Sequence, residues 1–251
     1  MDLELAGKRA LVTGGSRGIG KAVARQLALE GADVAIAARD RDRLDRAAAE
    51  LSADTGGRVV AATVDTGRAD SIAEMVRTVA GELGGIDILV NAAARPAGQA
   101  PAPSWDAVTE DDLFDEMRVK VLGYLRVAQA VAPFMVEGGW GRIVNIAGLA
   151  PRQAVSVVGS VRNVAVAAMS KNLADALGRH GVNVVTVHPG MTVTEATSDE
   201  ARARPANNLV GRLIDASEVA YLVAFLASPK SVAVNGDVIA AGGGVPVSIY
   251  Y

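Results

Sequence analysis

The chain has 251 residues, 50% of them apolar and 21% charged, with no low-complexity stretch, so it can bury a large core and fold on its own. Its 25 basic and 28 acidic residues leave a net charge of −3, short of the basic excess that a general nucleic-acid surface needs. Cysteine is absent and histidine occurs only as His180 and His188, which excludes disulfides, iron–sulfur clusters and thiol nucleophiles, and no metal site is expected.

Residues 1–9 are mixed polar and run straight into a strand-like segment, without the succession that marks a signal peptide. The longest apolar runs read as interrupted by charge before the ~18 residues a membrane span needs. A soluble cytoplasmic protein with no membrane partner is expected. Residues 9–12 form a first strand, followed by a glycine-rich turn and a helix over 19–30, where Ile19, Val23 and Leu27 share one stripe. Residues 34–38 are a second strand, 40–53 a helix with a charged face and 58–64 a third strand. A helix over 70–83 ends at Gly84 and Gly85, and 87–92 is continuously apolar, as in a strand covered on both faces. After a proline-rich loop at 95–104, Thr109 with Asp112 three residues on signals the start of a long helix to about 136. A fifth strand at 141–146, a helix over 156–179 and a sixth strand at 182–187 follow, the last ended by His188-Pro189-Gly190. The polar stretch 194–213 fits either a mobile substrate lid or a plain surface insertion. A helix at 217–227 and a strand at 238–241 close the pattern before Gly242, Gly243 and Gly244. This alternation specifies an α/β fold, a doubly wound parallel sheet of about seven strands, in a single domain over 1–251.

Between the first strand and the first helix stands Thr13-Gly14-Gly15-Ser16-Arg17-Gly18-Ile19-Gly20. Glycines there let the backbone turn sharply and bring a phosphate against the free N–H groups at the head of the helix, the Rossmann-type arrangement. With this turn in place the chain resembles the short-chain dehydrogenase/reductase family over nearly its whole length. The resemblance implies a dinucleotide held by Gly14, Ser16, Arg17, Gly18, Ile19 and Gly20. Val64-Asp65 matches the adenine-binding position after strand three, with Asp65 on the amino group. Asn91-Ala92-Ala93-Ala94 resembles the family's N-N-A-G element, with departures at its second and fourth positions. Pro189-Gly190-Met191-Thr192-Val193-Thr194 resembles the stretch that receives the nicotinamide carboxamide, which brings in Pro189, Gly190, Thr192 and Thr194. Strand two ends Ala37-Ala38-Arg39, with no acid to bond the ribose hydroxyls of NAD. Arg39 and Arg17 facing a 2′-phosphate would each be worth ~1.5–3 kcal/mol, so NADP(H) is expected over NAD(H).

The resemblance fails at the catalytic positions. Aligning Asn172-Leu173-Ala174-Asp175-Ala176-Leu177 with the family's S-L-A-x-E-L helix puts Gly159 where the tyrosine belongs and Asn163 where the lysine belongs. Asn145-Ile146-Ala147-Gly148 replaces the serine loop, and Lys120, in Val119-Lys120-Val121-Leu122-Gly123, stands at the asparagine position. Amide and cation are thus exchanged between two helices: Asn163 can bond ribose hydroxyls and Lys120 can supply the positive charge or a proton, unless Lys120 points outward and the exchange is a coincidence. Arg162 and Arg152 are candidates for a substrate anion. Met191 and Trp105 lie where substrate contacts are expected, and the aromatic end at Tyr250 and Tyr251 suggests self-association as a homotetramer or homodimer. Three readings stay open: an oxidoreductase acting on a small organic substrate with an unusual proton donor, a non-redox enzyme that keeps the dinucleotide, and an inactive binding or assembly subunit.

Overall fold

The computed structural model describes residues 1–94, 104–149, 156–203 and 205–246. The N-terminal half runs β1 (Arg9–Thr13), α1 (Gly18–Leu29), β2 (Asp33–Ala38), α2 (Arg41–Thr55), β3 (Val59–Thr63), α3 (Ala69–Leu83) and β4 (Ile88–Asn91). Then come α4 (Glu110–Glu116), a π-helical turn (Met117–Leu122), α5 (Gly123–Glu137), β5 (Gly141–Ile146), α6 (Val157–Leu177) and β6 (Val182–Pro189). The chain closes through β7 (Thr192–Val193), α7 (Asp199–Arg202), β8 (Ile214–Asp215), α8 (Ala216–Leu226) and β9 (Val238–Ala241).

Local chemistry sets the boundaries. Asp40 caps α2 by accepting from the Arg43 N–H, and Thr109 with Asp112 forms the capping box that starts α4. Gly56 and Gly84, at φ +67° and +77°, end α2 and α3 in the left-handed conformation that costs glycine nothing.

β3-β2-β1-β4-β5-β6-β9 form one parallel sheet, as the alternation predicts, while β7 and β8 make a separate two-residue pair. Alternate residues on each strand face opposite cores. Val12, Ile36, Val90 and Val144 pack with α1, α2 and α8 on one side, and Leu11, Ala37, Leu89 and Ile143 pack with α3 and α5 on the other. A small third cluster of Val121, Tyr124 and Val166 sits where the π turn meets α6.

Two expectations are corrected. The helix expected from Thr109 to about 136 contains the π turn rather than being regular throughout. By length and composition alone the run Glu110–Glu137 is apolar enough to cross a membrane, contrary to the reading that charge interrupts every such stretch. Its apolar face is nevertheless the core face, because Tyr124, Val127, Val131 and Met135 are buried against the sheet.

Candidate functional site

In strand order β3-β2-β1-β4, chain direction of winding reverses between β1 and β4, so a crevice opens at the carboxyl ends of these strands. The glycine turn occupies its rim. A Cβ on Gly14 would lie 2.7 Å from the Ala92 carbonyl and 2.8 Å from Ala93 N, so only glycine lets the turn press against the end of β4. Side chains cap α2, α4, α6 and α8, but none of its own side chains caps α1, whose Ncap is Arg17 and whose first turn carries no acid. A close-packed glycine loop leading to an uncapped helix head fits a dinucleotide phosphate. The Gly18 N–H donates instead to Glu195 Oε1 at 2.7 Å, which ties the segment after β7 to this turn.

Past β2, Arg39 is exposed, Arg17 in the glycine turn is half-buried, and neither forms an ion pair among the described residues. The neighbouring Asp40 is taken up by the α2 cap and by Arg43, 3.3 Å away. Asp65 folds its Oδ1 back to accept from the Gly67 N–H at 2.9 Å, and Val64 is buried beside it.

Asn91 behaves differently from the other positions of the predicted cofactor set. Thr13, Asn91, Asn145 and Thr186 lie on one rung across β1, β4, β5 and β6. Asn91 Nδ2 donates to Asn145 Oδ1 at 2.9 Å, and Asn145 Nδ2 donates to Ser170 Oγ at 2.9 Å. Thr186 Oγ1 also donates to Ser170 Oγ, at 2.7 Å, and Ser170 Oγ donates to the Val166 carbonyl at 2.8 Å. Asn91 is fully buried in this rung, whereas Ala92 and Ala93 after it are partly exposed. The rung pins α6 to the sheet seven residues after Asn163.

Lys120 turns inward. It is 3% exposed, and its Nζ donates to the Ala147 carbonyl at 2.9 Å and to Asn163 Oδ1 at 3.2 Å. Lys120 and Asn163 therefore meet, and an outward-pointing Lys120 is excluded. Burial pulls the Lys120 ammonium down to about 7; the Arg162 charge adds to the fall and Glu116 opposes it. Arg162 forms an ion pair with Glu116, so its guanidinium is already engaged rather than waiting for a substrate anion. Tyr124 lies one turn after Lys120, its ring centroid 6.0 Å from Nζ. Its hydroxyl donates to the Ile146 carbonyl at 3.0 Å, and burial raises its pKa further, which holds it as a neutral structural donor. Gly159, expected at the family's tyrosine position, sits in the first turn of α6, where its N–H donates to the Ser156 cap at 2.9 Å.

Past β6, Pro189 ends the strand, and a Cβ on Gly190 would lie 2.8 Å from Gly242 Cα, so these two chain segments cross at glycine contact distance. Thr192 Oγ1 donates to the Gly190 carbonyl, and Thr194 Oγ1 accepts from the Ala196 N–H within a turn that Arg202 braces from the Thr194 and Thr197 carbonyls. Asn208 Nδ2 donates to the Gly242 carbonyl at 3.1 Å, fastening the far end of the lid-like stretch to the end of β9. Met191 and Trp105 are exposed. Arg152, Tyr250 and Tyr251 lie outside the described residues. Among those described, no cluster of acidic and histidine side chains could hold a metal ion.

Sequence reasoning passed over Glu116, Tyr124, Asn145, Ser170 and Glu195. Glu116 and Tyr124 each stand four residues from Lys120, one helical turn, and that spacing was the available signal. Nothing local marks Glu195, whose partner is 177 residues away.

The comparisons agree with this geometry. The family described as short chain dehydrogenase matches residues 8–205. Gluconate 5-dehydrogenase of Gluconobacter oxydans is 35% identical, with 98% of this chain and 97% of that protein covered. L-Sorbose reductase of Gluconobacter frateurii, solved with NADPH and L-sorbose, superposes with a TM-score of 0.90 at 26% identity over 99% of this chain and all of that one. A short chain dehydrogenase of Burkholderia cenocepacia, solved with NADP, gives a TM-score of 0.85 at 36% identity over 96% and 98% of the two chains. Taken with a seven-stranded parallel sheet and a glycine turn at its switch point, these likenesses make the chain a member of the short chain dehydrogenase family.

Proposed function

We propose that the protein is an NADP(H)-dependent oxidoreductase for a small carbonyl, enone or imine, lacking the family's serine, tyrosine and lysine set and using Lys120 as the group that exchanges a proton with the substrate. The observation that carries this reading is the buried Lys120–Asn163 pair at 3.2 Å, with the ammonium brought to about 7. An amine half-protonated near neutrality can both give and accept a proton, and a positioned acid of this kind is worth ~10²–10⁴ in rate. The dinucleotide supplies the hydride when bound. Gly14, Ser16, Gly18, Ile19 and Gly20 would receive its phosphates, Val64 and Asp65 its adenine, and Ala92, Ala93, Pro189, Gly190, Thr192 and Thr194 its nicotinamide half. Asn163 holds Lys120 by its Oδ1, which leaves its amide N–H groups for a ribose hydroxyl. Arg17 and Arg39, without ion pairs among the described residues, favour a 2′-phosphate, and the NADPH and NADP in two solved relatives support that choice. The proposal includes a cytoplasmic location, and self-association as a homodimer or homotetramer.

A second reading is a dinucleotide-binding subunit without turnover. It is favoured by the two acceptors that already satisfy Lys120 Nζ. Fluorescence titration with NADPH and NADH, followed by turnover on carbonyl, enone and imine panels, separates the two. The proposed enzyme binds NADPH at least tenfold tighter than NADH, R39A removes most of that preference, and K120M abolishes turnover while keeping binding. Binding without turnover on any panel favours the subunit, and no binding of either dinucleotide overturns both readings.

A further inference from the structure

One ion pair bridges the two helices that carry the site. Glu116 ends α4, one turn before Lys120, and Arg162 immediately precedes Asn163 on α6. Their side chains are 18% and 15% exposed, whereas most ion pairs of this protein are solvated at the surface. Arg162 Nε is buried with no partner among the described residues, so the guanidinium is not placed there to maximise its own hydrogen bonds. A buried pair of this kind adds little net stability, because desolvation offsets the attraction. Its position is more informative. Among the described residues that face Lys120, the polar ones from its own helix are Glu116 and the Tyr124 ring. α6 contributes Arg162 and Asn163, and the segment after β5 contributes the Ala147 carbonyl. Glu116 and Arg162 alone in that set carry charge, and they act in opposite senses.

We propose that Glu116 and Arg162 are positioning residues that set the charge state of Lys120, Glu116 holding the proton on the amine and Arg162 driving it off. The pair also clamps α4 to α6, so the same contact that fixes the distance from Lys120 to Asn163 balances the field at Nζ. This inference rests on Lys120 as the proton-exchanging group, and it adds what keeps that group poised.

The test follows the titration of Lys120 itself in the dinucleotide-free protein. The chain has five lysines, Lys8, Lys21, Lys120, Lys171 and Lys230, so the spectrum of protein labelled with [ε-¹³C]lysine is simple, and K120M assigns the signal. E116Q should move the Lys120 midpoint down by about 0.5–1 pH and R162Q should move it up by a similar amount, as expected for loss of one nearby charge. R162K and E116D, which keep the charges, should stay near the parent. A pair that serves packing alone would admit water when either partner is cut, and both midpoints would then rise towards that of an ordinary lysine. Midpoints that move together, or that do not move, overturn the inference. If R162Q fails to fold, E116Q decides alone, because charge loss and loosened packing shift it in opposite directions. The pH profile of NADPH turnover is the separate arm. Opposite NMR shifts with an unmoved turnover profile uphold the charge-setting pair and sink Lys120 as proton donor.

Discussion

An ammonium group with almost no access to water is expensive, and Lys120 gives that expense a measurable form. In the unfolded chain the amine titrates near 10.4, and in the folded protein near 7. Between those values the unfolded state binds a proton that the folded state has released, so stability rises with pH from about 7 towards 10. Below about 7 both states are protonated and the full penalty applies. Urea midpoints taken at pH 6.5, 7.5 and 8.5 should climb for the native sequence, by at most ~1.4 kcal/mol per pH unit from this one group. The same series on K120M should lack that component. Equal slopes in the two proteins would mean that the lysine is not held in the desolvated state described. The acid one turn away, Glu116, softens the penalty without cancelling it.

At the scale of elements, the polar rung decides where the helices of the site stand. Ser170 accepts from both Asn145 and Thr186 and is the one tie in this network that reaches α6. S170A leaves two buried donors without their acceptor, at ~1–3 kcal/mol for an unsatisfied group. The expected result is a lower urea midpoint with an unchanged slope; a shift below ~0.5 kcal/mol would mean that water or rotation of Thr186 replaces the bond. This rung also shows what a linear reading can and cannot recover. The strands were legible because each is a short apolar run between helical patterns, and the glycine turn because its chemistry is local. The opposed placement of Lys120 and Asn163 was legible as an exchange between two motifs, though not as a contact, since 43 residues separate them. Asn91 was assigned to the ligand by its motif, whereas its neighbours across the sheet claim the side chain. Register across four strands is a property of the assembled sheet and leaves no local trace. The π turn was hidden for a related reason, because one extra residue in a helix changes the phase of a pattern and not its composition.

At the scale of the whole molecule, α6 carries an apolar stripe on its outer side. Val157, Val161 and Val164 follow one another at helical spacing on α6, about half exposed, and Phe114 and Leu122 are exposed on the adjacent helical run. A half-exposed valine stripe with two exposed apolar neighbours is the surface we propose for association with a second copy. V161D should therefore convert an oligomer into a smaller species by sedimentation velocity at unchanged helix content, and a monomeric native protein would remove this proposal.

The π turn at 117–122 has a further meaning for how the long helix divides its labour. One surplus residue in a helix shifts everything before it by about 100° relative to everything after it. Tyr124 and the residues beyond it can therefore stay locked to the sheet while Glu116 is aimed at α6, two orientations that a regular helix would not deliver together. The insertion separates the half that docks on the sheet from the half that faces α6. Substitutions that repack α5 need not disturb the aim of α4, whereas deletion of Arg118 or Val119 would rotate the acid away from its partner with every side chain of the site still present. In this stretch it is a count of residues, as much as their identity, that aims the site.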